Sequence, residues 1–176
     1  MADDLTAAHD TRAATGKPLA SDFVYAVFIR ADIDTVWNGL IDGELTRRYW
    51  GHENRSTWEK GAPWEHVRTD ARGTVDIRGR VIEIDPPTRM VWSWAFGADA
   101  DTPEKLSRVT YELVALGPDT KLTVRHAELE PGSPMDTGVR EGWPAVLSNL
   151  KSILETGDIL REDEWPAPER LDCPET

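Results

Sequence analysis

The chain has 176 residues, with 32 acidic and 20 basic side chains and a net charge of −12. That balance argues against nucleic-acid binding and against docking on anionic membranes, both of which rest on Lys and Arg meeting phosphates. A single cysteine, Cys173, excludes an internal disulfide, and eight tryptophans outnumber the three Phe and three Tyr together.

The length suits one domain, able to bury about 70 % of its unfolded surface. The acidity gathers at the ends: residues 155–176 carry −6 and residues 1–22 carry −2, which leaves −4 for the middle. The expected organisation is a flexible N-terminal tail over 1–21, one domain over 22–157 and an acidic C-terminal tail over 158–176. In that last tail Trp165 and Leu171 are the residues that could anchor docking on a basic partner or on the domain itself. Met1 to Ala20 lacks the apolar run of a signal peptide, and no segment has the length of a membrane span. A cytoplasmic protein without membrane insertion is expected.

Phe23 to Arg30 is rich in aromatic and β-branched residues and predicts a strand covered on both faces. Asp32 or Asp34 can cap a short helix in which Ile33, Val36, Trp37 and Leu40 share one face. Glu44 to Tyr49 predicts a second short helix. Strands are then expected at Arg55–Trp58, Trp64–Thr69, Thr74–Asp85, Arg89–Phe96, Lys105–Val114 and Thr120–Leu129, separated by Gly, Pro and Asp turns. On these, Met90, Trp92, Trp94 and Phe96 fall together; so do Ser107, Val109, Tyr111 and Leu113; so do Leu122, Val124 and His126. A long helix follows, starting near Asp136 or Gly142 and ending at Thr156. Trp143, Val146, Leu147, Leu150 and Leu154 form its stripe and Gly157 its stop. Strands joined by tight turns must be antiparallel, and only the last helix is long enough to cover their sheet.

This order, with Val36-Trp37, Tyr49-Trp50-Gly51, the run Gly79 to Pro87, Arg89 to Trp94, Val109 to Leu113, Thr120 to His126 and Gly142-Trp143, resembles the helix-grip superfamily of START-like domains, SRPBCC. Within it the chain is most similar to homologues of the activator of heat-shock protein 90 ATPase, over about residues 22–157. The resemblance implies an α+β fold: a curved antiparallel sheet of six or seven strands wrapped on the C-terminal helix, with two short helices after the first strand. It also implies a range of functions, since the superfamily includes lipid carriers, polyketide cyclases and hormone binders.

The four histidines, His9, His52, His66 and His126, have no metal-ligand spacing among them, so neither a metal nor another cofactor is expected. GxSxG and a glycine-rich phosphate loop are also absent. Three uses of the tryptophans remain. The first is a cavity between sheet and helix that takes a hydrophobic or aromatic small molecule, lined by Trp64, Trp92, Trp94, Tyr111, His126, Trp143 and Leu147. The second is a densely packed core with Trp37 and Trp143 at its centre. The third is a homodimer interface through Trp50, Trp58 or Trp64. An enzymatic alternative makes His126 and Glu83 the acid and base of one cavity; it requires both side chains to reach the same space. In the Glu65-His66 pair beside Trp64, one residue must face inward if Trp64 faces out. A chaperone-ATPase cofactor acting through the outer sheet is the remaining expectation.

Overall fold

The computed structural model describes residues 21–160. Both expected tails, with Trp165, Leu171 and Cys173, lie almost entirely outside the described residues. The elements run β1 (Ser21–Ile29), α1 (Ile33–Ile41), α2 (Gly43–Trp50), β2 (His52–Ser56), β3 (Pro63–Arg68) and β4 (Val75–Asp85). Then come β5 (Arg89–Phe96), β6 (Ser107–Leu116), β7 (Asp119–Leu129) and α3 (Pro134–Thr156).

Two carboxylates punctuate the helical hairpin. Asp32 caps α1, taking the Thr35 N–H at 2.9 Å. Asp42 closes α1 through its own N–H to Asn38 O and caps α2 through its side chain on Leu45 N–H. One residue thus ends one helix and starts the next, which makes the α1–α2 corner tight. Gly51, with φ of 69°, turns the chain out of α2 where a Cβ would be strained.

The seven strands form one antiparallel sheet in the order β1-β7-β6-β5-β4-β3-β2. β2 to β7 form a meander. β1 sits at the opposite edge from β2, so α1 and α2 carry the chain from one edge of the sheet to the other. α3 packs against β1, α1 and α2, on the side that the expected stripe requires. Its core residues are Val139, Trp143, Leu147, Leu150 and Ile153. The helix starts at Pro134, two residues before Asp136 and eight before Gly142, because Ser133 caps it and Pro134 occupies its first turn. Pro144 is tolerated inside it, and Ser148 Oγ donates to the Pro144 carbonyl at 2.6 Å.

The core faces α3. Met90, Trp92 and Trp94 of β5, Val109, Tyr111 and Leu113 of β6, and Leu122, Val124 and His126 of β7 are all buried on that side. The alternation expected for these three strands is the one observed.

Candidate functional site

Seven tryptophans fall within the described residues, and six of them form one continuous aromatic body. Trp92 is its hub on the sheet: its ring centroid lies 4.8 Å from Trp64, 5.1 Å from Tyr111, 5.6 Å from Trp58 and 6.4 Å from Trp94. Trp143 of α3 closes the body from the helix side, 5.7 Å from Trp94, 5.9 Å from Tyr111 and 5.3 Å from Trp50. Trp37 alone stands apart, buried under α1. Trp64, Trp92, Trp94, Tyr111, His126, Trp143 and Leu147, expected to share one interior, are all buried within one core cluster.

Trp64 corrects the expectation of an interface ring. It is fully buried and points inward with His66, while Glu65 faces out and pairs with Arg78 at 3.3 Å. Its indole N–H reaches across β4 to donate to the Ser93 carbonyl of β5 at 2.9 Å. Arg80 N–H correspondingly bonds Ser93 Oγ at 2.9 Å, so a side chain replaces a ladder bond here. The crossing is possible because residue 79 is Gly: a Cβ there would meet Ser93 O at 1.8 Å and Trp64 Nε1 at 2.5 Å. Trp50 and Trp58, the other two residues weighed for an interface, are half-buried and packed on the core.

His126 is fully buried, and its neighbours fix its proton. Trp143 Nε1–H can only donate, and it donates to His126 Nδ1 at 3.2 Å. The ring proton therefore sits on Nε2 and points at Ser107 Oγ, 2.8 Å away, whose own hydroxyl donates to the Trp94 carbonyl at 2.9 Å. Burial holds the imidazole neutral, with its pKa pushed down to about 3 despite the opposing charge of Asp136. A serine beside a histidine invites comparison with a nucleophile and its base. Here the nitrogen facing Ser107 already carries its proton, so it cannot accept the hydroxyl's. The chain Trp143–His126–Ser107–Trp94 is a satisfied donor relay that ends on a backbone carbonyl.

Glu83 corrects the acid–base expectation. Its side chain is 52 % exposed on the outer face of the sheet, with Arg89 Nε at 2.9 Å, while His126 lies inside. The two are on opposite sides of the sheet and share no cavity.

Ser107 and Asn54, with Thr46, Thr120 and Asn149, are buried polar residues to which reading the sequence assigned no interior role. Ser107's place on the Val109 and Tyr111 face was the available signal. Asn54 had none, because its role depends on three elements meeting. Its Oδ1 accepts from His66 Nδ1 at 2.6 Å, and its backbone N–H donates to Thr46 Oγ1 of α2 at 3.0 Å. His66 is held well below the usual histidine range by burial and by His52, whose ring lies flat on it at 4.0 Å. His52 in turn meets Asp76 through Nε2 at 3.0 Å.

Among the described residues, three buried side-chain polar atoms have no hydrogen-bond partner: Trp92 Nε1, Trp94 Nε1 and Tyr111 Oη. All three belong to the aromatic body. Burial also pushes the Tyr111 phenol well above its usual range, so it stays protonated. Among the described residues, no group of three or more His, Cys, Asp or Glu is placed to hold a metal ion. Two depressions on the described residues bear on the site. One, of about 200 Å³, lies over Gly79, Ser93, Arg78, Arg80 and Asp101; the other, of about 240 Å³, lies over Ile82, Val91, Arg89, Arg108 and Arg125. Neither has a lining residue from α3, so neither opens between helix and sheet.

No described helix is long and apolar enough to cross a membrane. Among curated proteins none matches this sequence. Solved structures do match in fold. The Aha1 dimer of Colwellia psychrerythraea is 16 % identical at a TM-score of 0.65, over 78 % of this chain and 98 % of that one. An Hsp90 activator of Plasmodium falciparum is 22 % identical at 0.61, over 76 % and 95 %. CalU16 of Micromonospora echinospora is 21 % identical at 0.61, over 78 % of each chain. The family model described as Activator of Hsp90 ATPase homolog 1-like protein matches residues 30–155, from the end of β1 to the end of α3, and the chain belongs to that family.

Proposed function

We propose that this domain binds a small, largely apolar molecule against the aromatic body of the inner sheet face, entering at its half-buried Trp58 edge. The carrying observation is that Trp50, Trp64, Trp92, Trp94, Tyr111 and Trp143 meet in one ring-to-ring assembly on the inner face. A core needs apolar volume, which Leu and Ile supply with better-defined packing. Large flat rings with single N–H or O–H groups are instead the usual lining of small-molecule sites. His126, locked in one tautomer, is a wall of this site and not a base. The reading is binding without catalysis: among the described residues, His126 and Glu83 lie on opposite sides of the sheet and the His126 nitrogen facing Ser107 already carries its proton.

Native mass spectrometry of the full chain purified from cells, followed by solvent extraction, tests this. A retained small molecule that is lost on denaturation is expected. Protein that carries none, and that takes up none from a panel of neutral aromatic compounds, removes the proposal.

A second reading follows from the family and from the Plasmodium falciparum Hsp90 activator that shares the fold. It makes the domain a chaperone cofactor that acts through the outer sheet face. Stimulation of a cognate chaperone's ATP hydrolysis would support it, and an unchanged rate at saturating domain would dismiss it.

A further inference from the structure

Resting on the binding reading above, we infer that the ligand is an uncharged aromatic compound with a hydrogen-bond acceptor, such as an aryl ketone, seated on Trp92 in the place now held by Trp58.

The selection follows from what the interior lacks. A buried donor without a partner loses its hydrogen bonds to water and gains none in return, so three in one aromatic body require an account. Two of the three, Trp92 Nε1 and Trp94 Nε1, can only donate; the Tyr111 hydroxyl donates or accepts. A bound carbonyl or ether oxygen satisfies such groups, and a hydrocarbon does not. A carboxylate or phosphate is disfavoured as well: among the described residues no Lys or Arg is buried, whereas Asp136 is. Charge would enter this interior uncompensated.

The position follows from exposure. Of the four rings around Trp92, Trp64, Trp94 and Tyr111 are buried, and only Trp58 reaches solvent. Trp58 stands on the β2–β3 connection with φ of 54°, a left-handed conformation uncommon for a bulky side chain. Its backbone N–H is held by Ser56 Oγ at 3.1 Å. Its ring lies 5.6 Å from Trp92, tilted 43°. A planar ligand of similar size would replace that contact with one that also offers an acceptor to the Trp92 indole N–H, with Tyr111 5.1 Å further on from the Trp92 ring.

Equilibrium dialysis of the full chain against matched pairs tests this across three sizes: acetophenone against ethylbenzene, 1-acetonaphthone against 1-ethylnaphthalene, and fluorenone against fluorene, with 1-naphthoate as the charged comparator. In at least one pair the ketone should bind about tenfold or more tighter than its hydrocarbon, because a buried donor left unmet penalises the analogue. The naphthoate should bind more weakly than the acetonaphthone. Tyr111→Phe, which removes one unpartnered hydroxyl at nearly constant volume, should cut the preference severalfold. It should also leave the unliganded melting temperature equal or higher. Trp92→Phe should act the same way, and if it fails to fold, Tyr111→Phe decides alone. Trp58→Ala should raise ketone affinity, since no ring must then be displaced; unchanged or lower affinity makes Trp58 a fixed wall and overturns that part. Ketone and hydrocarbon binding equally overturns the acceptor inference while the binding proposal stands. Failure of every compound to bind, with no retained molecule in the native protein, removes both.

Discussion

The two faces of the sheet carry different chemistry on the same strands. On β5, Met90, Trp92 and Trp94 face α3, while Arg89 faces out and bonds both Glu83 of β4 and Glu112 of β6. On β7, His126 is locked inside by Trp143 and Ser107, while the preceding Arg125 pairs outside with Asp22 of β1. Arg108 and Glu128, at 3.4 Å, extend the pattern. Inside, polar groups are few and each has a fixed partner or conspicuously none. Outside, charges alternate in sign across neighbouring strands and are wet. Interactions inside should therefore be strong, specific and sensitive to single atoms, and those outside weak, shared and sensitive to salt.

The largest expected effect is at the seam where the inner face depends on the sheet's own backbone. Gly79→Ala places a methyl group 1.8 Å from the Ser93 carbonyl, so β4 and β5 must part or Trp64 must leave. A cost of at least about 3 kcal/mol is expected, at the upper end of overpacking losses, measured by urea unfolding. Gly142→Ala in α3 is the control: nothing lies within 4 Å of the added Cβ, and a gain of about 0.5–1 kcal/mol is expected. Equal effects at the two positions would mean that the Trp64 crossing does not matter.

Next is acid sensitivity. His126 is neutral in the fold with a pKa near 3, against an ordinary value of 6.5 in the unfolded chain. The unfolded state thus binds the extra proton first, and stability falls as pH drops from about 6.5 toward 3. Down to pH 5 the loss is about 2 kcal/mol, and buried His66 adds to it in the same direction. The window between about pH 6.5 and 5 lies above the ordinary carboxylate range, so the slope there reads the buried histidines. His126→Gln should be less stable than wild type at pH 7 and should show a flatter decline. A wild-type curve that is level across this window would break the contrast between dry and wet faces.

Smaller again is Trp143→Phe. It keeps an aromatic ring but takes the donor from His126 Nδ1, leaving a buried acceptor unmet at about 1–3 kcal/mol. The imidazole nitrogen shifts should then lose the signature of a single Nε2–H tautomer, which a purely packing role for Trp143 would not cause.

Much of this contrast was legible in the sequence, because period-two alternation sorts a strand's residues onto faces before any pairing is known. Met90, Trp92 and Trp94, and Leu122, Val124 and His126, needed nothing more. The boundaries of β2 and β6 were harder. β2 reads His-Glu-Asn-Arg-Ser, without apolar alternation, and is held as a strand by β3 alone. β6 begins two residues after its expected start because Pro103 to Lys105 form a short helical turn. Which acids and bases meet lay beyond the sequence altogether. Arg89 reaches Glu83 and Glu112 only through the register of β4, β5 and β6, and the separation of Glu83 from His126 is likewise a fact of sheet faces.

The smallest expected effect is outside. Arg89→Met removes the guanidinium that joins Glu83 and Glu112 and keeps an apolar stem over the sheet. All three side chains are more than one-third exposed, so water already screens them. Loss of the charge should cost at most about 1 kcal/mol at low salt. Near 1 M salt, where charges interact over only about 3 Å, wild type and variant should converge. Glu83→Gln should likewise leave ketone binding unchanged, because its carboxylate lies across the sheet from the aromatic body. A several-kcal/mol loss in Arg89→Met that persists in high salt would mean that the outer lattice of charges, and not only the aromatic interior, fixes the curvature of the sheet.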